Sequence, residues 1–505
     1  MERRQFLKSV SATVALSVTT AEAENAAILA AHANPPASRP NLLVFLTDDH
    51  GQWLQQSYGN SEVHTPNMSR IAQRGVLMKN AFTTSPVCSP ARASFFTGRM
   101  PSQHGIHDWI EETKQAYAYP WLKGQTLLSE LLHDAGYHTG LVGKWHCGEE
   151  REPHPGFDFW YSYWVNQYPH FGAQQFSDQG KRTTAEGLQS PLLTDQAIRF
   201  LRDHESNPST RERPFFLFVG YTDTHSPHTQ MPNELVAPYN EATFRDIPRE
   251  SFNRVHGKAL LPVASNPSEE RAKHEQYYAA ASSIDREVGR ILDELESRGQ
   301  LDHTLVIYTS DHGLNAGHHG MWEKGNATLP QNFLEESIRV PCALSWPGGG
   351  IPQGLTSELT VNHCDLFATL LEIADAVPTP AIAQKINSPG KSYLRHLRGN
   401  ATTDRDAVFC EYGNARMVRK DGYKLILRYP YRGVGFPNEL YDLKADPRET
   451  ENLYSRPEHA SLVETMSGQL HHFFATYTVP EHDGMNLDQQ ALATAASPWL
   501  QALKP

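Results

Sequence analysis

Asn41-Leu42-Leu43-Val44-Phe45-Leu46-Thr47, followed at once by Asp48-Asp49-His50-Gly51, is the stretch that decides the fold. A continuous apolar run without polar alternation predicts a strand covered on both faces, as in a parallel sheet packed between helices. It stops on two adjacent carboxylates. Side by side after a buried strand, they repel each other unless a cation sits between them, so the pair predicts a metal site.

The same pattern recurs down the chain. Phe215 to Val219 runs into Asp223-Thr224-His225-Ser226-Pro227-His228, and Thr304 to Thr309 runs into Ser310-Asp311-His312-Gly313. A shorter run, Thr139 to Gly143, delivers Lys144-Trp145-His146. Ligands of open, mostly parallel sheets bind outside the carboxyl ends of the strands, so these polar clusters are expected on one edge. Helical periodicity falls between them, at 67–74, 126–135, 194–203, 275–298 and 364–374. Segments 100–120, 150–190 and 229–272 lack it and are expected to be loops that shape a substrate site. A linker is expected at 376–389. Beyond it, 406–412, 415–420, 423–429 and 439–443 alternate like antiparallel strands, with a tight turn at Asp421-Gly422 and a helix over 458–477. The expected organisation is a large α/β domain over 41–388, with a mostly parallel central sheet, and a sheet-and-helix subdomain over 389–505.

The chain has 505 residues, 39% hydrophobic and 20% charged, with a net charge of −12. That balance gives no support to a nucleic-acid binder, which carries a basic surface. An anionic substrate has to be met by a local cluster of positive charge. The five cysteines are odd in number and widely spaced, which points to buried free thiols. Residues 1–23 resemble a twin-arginine signal peptide: Arg3-Arg4-Gln5-Phe6-Leu7-Lys8, a mildly apolar run, then Ala21-Glu22-Ala23. Residues 24–40 read as a flexible leader. The expected location is periplasmic or extracellular, with no membrane span in the rest of the chain.

One motif remains. In Cys88-Ser89-Pro90-Ala91-Arg92, followed by Thr97-Gly98-Arg99, proline opens a short helical reading that Gly98 ends. Cys88 is therefore expected at a helix N-terminus, where free N–H groups favour an anion, with Arg92 one turn behind it. The pattern resembles the Cys-x-Pro-x-Arg signature of type I sulfatases, members of the alkaline phosphatase superfamily. Asn41 to His50, Gly143 to His146, His225 to Pro227, Ser310 to Gly313, Trp322 to Gly325 and Glu439 to Leu443 also look like motifs of that family, in the same order.

The resemblance implies an alkaline-phosphatase-like fold and a sulfuric ester hydrolase, acting on a sulfated carbohydrate. It implies that a maturation enzyme converts Cys88 to formylglycine. Asp48, Asp49, Asp311 and His312, with the converted Cys88, would hold one divalent cation. Calcium suits the carboxylates. His312 is a softer ligand, which keeps Mn²⁺ and Zn²⁺ open. The hydrated aldehyde would attack sulfur through one hydroxyl, and the second would let the aldehyde re-form. Arg92, Lys144 and Lys324 would stabilise the sulfate oxygens, His225 would protonate the leaving oxygen, and His146 would take the final proton. His104, His107, Trp109, His228 and Arg416 are weaker candidates for a sugar subsite. Two alternatives stand beside this reading: a phosphonate monoester or phosphodiester hydrolase of the same superfamily, and a non-catalytic metal-dependent glycan-binding protein.

Overall fold

The computed structural model describes residues 39–165, 168–261, 263–399 and 407–504. The expected signal peptide and most of the leader lie outside the described residues. Pro40 onward forms one compact unit.

A ten-stranded sheet is its spine. The strands are β1 (Asn41–Thr47), β2 (Val76–Phe82), β3 (His138–Gly143), β4 (Phe159–Tyr163), β5 (Phe171–Asp178), β6 (Lys181–Leu188), β7 (Phe215–Gly220), β8 (Thr304–Ser310), β9 (Cys342–Ser345) and β10 (Leu355–Asn362). Their spatial order is β10-β2-β9-β8-β1-β7-β3-β4-β5-β6. β1 runs parallel to β7, with Leu42 opposite Phe216, and parallel to β8, with Asn41 opposite Thr304. β3 is parallel to β7. The four runs that end in polar clusters are therefore the contiguous centre of the sheet, and their carboxyl ends share one edge.

Main helices cover both faces: α1 (Pro66–Gln73), α2 (Cys88–Thr97), α3 (Leu128–Asp134), α4 (Gln189–Ser206), α5 (Pro267–Ser297) and α6 (His363–Ile373). Alternation along β1 explains why it is apolar throughout. Leu42, Val44 and Leu46 join a core with Phe95 and Phe96 of α2, Leu128 of α3 and Leu370 of α6. Leu43 and Phe45 join the opposite core, with Met68 of α1, Leu193 of α4 and Ile284 of α5.

Segment 150–190 is not a loop. β4 extends the sheet in parallel, and β5 and β6 close it as an antiparallel hairpin. The Gln179-Gly180 turn supplies positive φ at both residues, 51° and 78°. The expected linker holds a short helix, Pro380–Ile386, capped by Thr379. The helix expected from 275 starts at Pro267, because the Asn266 side chain accepts from the N–H groups of Ser268 and Glu269.

The C-terminal sheet is β11 (Ala407–Tyr412), β12 (Ala415–Lys420), β13 (Tyr423–Arg428) and β14 (Glu439–Asp442), antiparallel in that order. One face packs on α7 (Ala460–Tyr477) through Leu425, Leu440, Met466 and Leu470. The other packs on Phe82, Val87 and Phe333 of the larger body.

Candidate active site

α2 starts at Cys88 itself, two residues before the proline that was expected to open it. It ends on Gly98, whose φ of 66° is left-handed and whose Cβ, if present, would lie 2.4 Å from the Phe367 ring. The C-terminal end is thus fixed, and Arg92 is fully buried. Its Nε donates to Asp311 Oδ2 at 2.8 Å, and its Nη1 donates to the Lys144 carbonyl at 2.9 Å.

Gly143 closes β3 with a φ of 95°, and a Cβ there would lie 2.2 Å from the Gly220 carbonyl oxygen. Only glycine lets β3 and β7 approach this closely and still turn Lys144 towards β1. Lys144 Nζ bonds Asp48 Oδ2 directly. Asp49 and His146 both take left-handed backbone conformations, each with a φ of 54°. For non-glycine residues this costs energy and is held only by the surrounding structure.

These pieces meet on the sheet edge. Ligand atoms of Asp48, Cys88, Asp311 and His312 lie within 4.8 Å of one another, and so do those of Asp48, Asp49, Cys88 and His225. His312 Nε2 is 3.3 Å from Cys88 Sγ, and His312 Nδ1 is 3.4 Å from Asp49 Oδ1. Lys324 Nζ donates to Asp49 Oδ1 at 2.5 Å. Asp48 Oδ1 and Asp49 Oδ2 are buried with no hydrogen-bond partner. Partnerless carboxylate oxygens facing an imidazole and a sulfur are the donor set of a divalent cation, so the residues fit one.

Charge is divided unevenly. Burial acts to raise the Asp48 carboxyl, but Lys144, His225, Arg92 and Lys324 hold it well below the usual carboxylate range. Burial wins at Asp49 and raises it despite Lys324. Asp311 is also raised, by burial and by Asp48. The Cys88 thiol is pushed up to about 12, by burial first and then by Asp48. As a thiol it is a poor nucleophile at neutral pH, because the thiolate is the reactive form.

Above this floor opens a cavity of about 590 Å³, lined by Cys88, His146, His225, Lys324, Trp109 and Tyr168 among others. His146 Nε2 donates to the Ile110 carbonyl at 2.9 Å, and its Nδ1 has no partner. Burial and Lys144 hold its pKa well below the ordinary value, so the ring is neutral with a lone pair on Nδ1. His225 Nδ1 lies 2.8 Å from the Ser226 carbonyl and 2.6 Å from Tyr168 Oη, while Nε2 lies 3.8 Å from Asp49 Oδ2.

Of the weaker candidates, Trp109 lines the cavity. The other four do not. His104 bonds Ser94 Oγ and the Ile106 N–H. His107 donates to the His482 carbonyl. His228 packs edge-on against Tyr277 and Trp322. Arg416 pairs with Glu411 and Asp483 in the C-terminal region. Three of the residues at the site that sequence reasoning does not single out bond directly to the strand-end clusters. They are Tyr168, Tyr277, whose hydroxyl donates to the Asp49 carbonyl, and Thr224, whose hydroxyl donates to the Asp48 carbonyl. Thr224 lies inside a strand-end cluster, which is a usable signal. The two tyrosines belong to no strand end and give no local signal.

The fold and the floor of carboxylates, cysteine and buried cations define an alkaline-phosphatase-like hydrolase. The sulfatase family profile matches residues 40–376, and the chain belongs to that family and is a sulfuric ester hydrolase. The C-terminal family of N-sulphoglucosamine sulphohydrolase matches residues 317–475. An N-acetylglucosamine-6-O-sulfatase of Bacteroides thetaiotaomicron is 27% identical over 516 residues, covering 86% of each chain. A choline-sulfatase of Rhizobium meliloti is 28% identical over 459 residues, covering 83% of each. A solved structure in complex with its substrate D-glucosamine-2-N,6-O-disulfate superposes with a TM-score of 0.72 at 24% identity, covering 87% of this chain and 98% of the other.

Proposed function

We propose that the chain hydrolyses sulfate esters of a carbohydrate, with Cys88 converted to formylglycine and one divalent cation held by Asp48, Asp49, Asp311 and His312. The observation that carries this reading is the placement of Cys88 Sγ among those ligand atoms, at the head of α2 and on the cavity floor. The N-acetylglucosamine-6-O-sulfatase relative, matched along most of both chains, supports the sugar. Calcium is the proposed ion, because carboxylate oxygens dominate the set. Bound there, it would supply positive charge for the sulfate oxygens, and the hydrated aldehyde would supply the oxygen nucleophile.

The chain's own residues do the rest. Arg92, Lys144 and Lys324 are buried cations that would stabilise the charge building on the non-bridging oxygens, in a setting where such interactions are strong. His225 Nε2 delivers a proton to the leaving oxygen. Burial and Lys324 hold the free imidazole neutral, and it gains its second proton when the anionic ester joins the carboxylates around it. His146 takes the last proton on Nδ1, the nitrogen left free by the Ile110 bond.

We also propose export by the twin-arginine route, from Arg3-Arg4-Gln5-Phe6-Leu7-Lys8. Among the described residues, no helix is long and apolar enough to cross a membrane. The deciding experiment is sulfate release from a panel of defined sulfated oligosaccharides, using protein whose position 88 is verified as converted by peptide mass spectrometry. An aryl phosphodiester run beside an aryl sulfate is the control, and a large preference for the phosphodiester defeats the proposal. Metal analysis and chelation test the ion: removal is expected to abolish turnover and lower the melting temperature, with calcium restoring both.

A further inference from the structure

The wall of the cavity carries negative charge above a floor in which Asp311, Asp48 and Asp49 already pair with Arg92, Lys144 and Lys324. Glu111, Glu112 and Glu323 line it, and Lys324 is the one lysine or arginine among the described lining residues. Lys324 is already engaged, 2.5 Å from Asp49 Oδ1 and 3.6 Å from Glu323 Oε2. His146, whose buried Nδ1 has no hydrogen-bond partner, lines the same space. An enzyme for anionic esters thus admits its substrate past carboxylates.

We infer that the substrate brings a single anionic group into this cavity, the sulfate to be cleaved, and that the part lying beside it is uncharged or cationic. This rests on the sulfatase reading above and narrows its substrate class. A second sulfate or a carboxylate next to the scissile ester would meet carboxylates and, among the described lining residues, no lysine or arginine other than the engaged Lys324. Such like-charge juxtaposition is how a site rejects a competitor. Hydroxyl groups suit the same wall, because carboxylates accept hydrogen bonds from them. An ammonium group suits it too, with the Trp109 ring available for cation–π contact. The selected class is a monosulfated, otherwise neutral or amine-bearing sugar, rather than a polysulfated chain.

Synthetic esters test this whatever the natural sugar is. Three phenyl sulfates of matched phenol acidity carry a neutral, a carboxylate or a trimethylammonium substituent at the same remote position. With position 88 verified as converted, kcat/KM at low salt is expected to be at least about tenfold lower for the carboxylate ester than for the neutral one, from charges about 8 Å apart in a partly screened site. The trimethylammonium ester is expected to equal or exceed the neutral one. Added salt is expected to shrink the spread. The double variant E111Q/E112Q is expected to narrow the carboxylate handicap by at least about threefold. Equal or faster turnover of the carboxylate ester by the unaltered enzyme overturns the inference, whatever the variant does. Cleavage of none of the three esters overturns the sulfatase reading instead.

Discussion

Cys88 gathers the chemistry, and its surroundings make it unsuited to act as a thiol. It is buried, its proton is held up to about 12 by burial and Asp48, and cations and carboxylates crowd it. Cys88→Ser is therefore expected to fold with an unchanged melting temperature and to lose at least about 10³ in steady-state turnover. With one hydroxyl it can attack but cannot expel sulfate, so sustained sulfate release by this variant counts against the proposed route. Tyr168 gives a second prediction at this scale. Its hydroxyl, 2.6 Å from His225 Nδ1, orients the ring that delivers the proton. Tyr168→Phe is expected to cost about tenfold in kcat on sulfates of poorly acidic alcohols and little on 4-nitrophenyl sulfate, whose leaving oxygen needs no proton. A loss of equal size on both substrates would mean that Tyr168 only supports the cavity wall. Tyr168 could not be found from sequence, because nothing local ties a residue at 168 to a strand end at 225. Asp48, Asp49, Lys144, Asp311 and His312 could be, because each follows an apolar run whose end has to lie on the binding edge.

At the scale of elements, what could be read was what is buried on both faces. β1, β7 and β8 each carry an unbroken run of four or more apolar or aromatic residues because helices cover both sides of them. β5 and β6 stand at the end of the sheet, carry Gln174, Gln175, Lys181 and Arg182, and so hide their strand character behind polar residues. β2 and β10 escape a reading by periodicity for a related reason: each mixes polar residues into its run, at Lys79-Asn80 and Thr356 to Glu358. Helices hold the central strands in place through specific contacts. Asp285 of α5 accepts from the N–H groups of Met68, at 2.8 Å, and Asn67, at 3.2 Å, and so caps α1 from a distant element. Asp285→Ala is expected to lower unfolding free energy by about 1–3 kcal/mol, because buried donors are left unpaired. Denaturant titration checks it, and a change below about 0.5 kcal/mol would show that water replaces the cap.

The whole molecule is held by a seam between the large sheet and the C-terminal one. Asp108 accepts from the Tyr412 hydroxyl at 2.9 Å across it. Burial pushes this carboxyl up to about 7, against bonds from Ser497, the Trp109 N–H and Tyr412. In the unfolded chain an aspartate titrates near 4. The folded state therefore binds the extra proton between roughly pH 4 and pH 7, and its stability falls as pH rises through that window. Asp108→Asn cannot ionise, so its melting temperature is expected to gain on the parent between pH 5 and pH 8. A constant difference across that range would refute the buried, proton-holding seam. The seam itself was not legible, since Asp108 and Tyr412 lie in segments whose pairing no periodicity reveals.

The spatial order of the sheet also sets a timetable. Among the described residues β1 is the first strand made, yet its partners in the finished sheet begin at Phe215 and Thr304. At about 5–20 residues per second, this strand, with its uninterrupted apolar run Leu42 to Leu46, waits roughly 10–50 s for both neighbours. During that interval Asn41 to Thr47 offers unpaired edges and no charge to discourage association. The stretch that most firmly specifies the architecture is thus also the one most in need of a chaperone's protection while the rest of the chain is being synthesised.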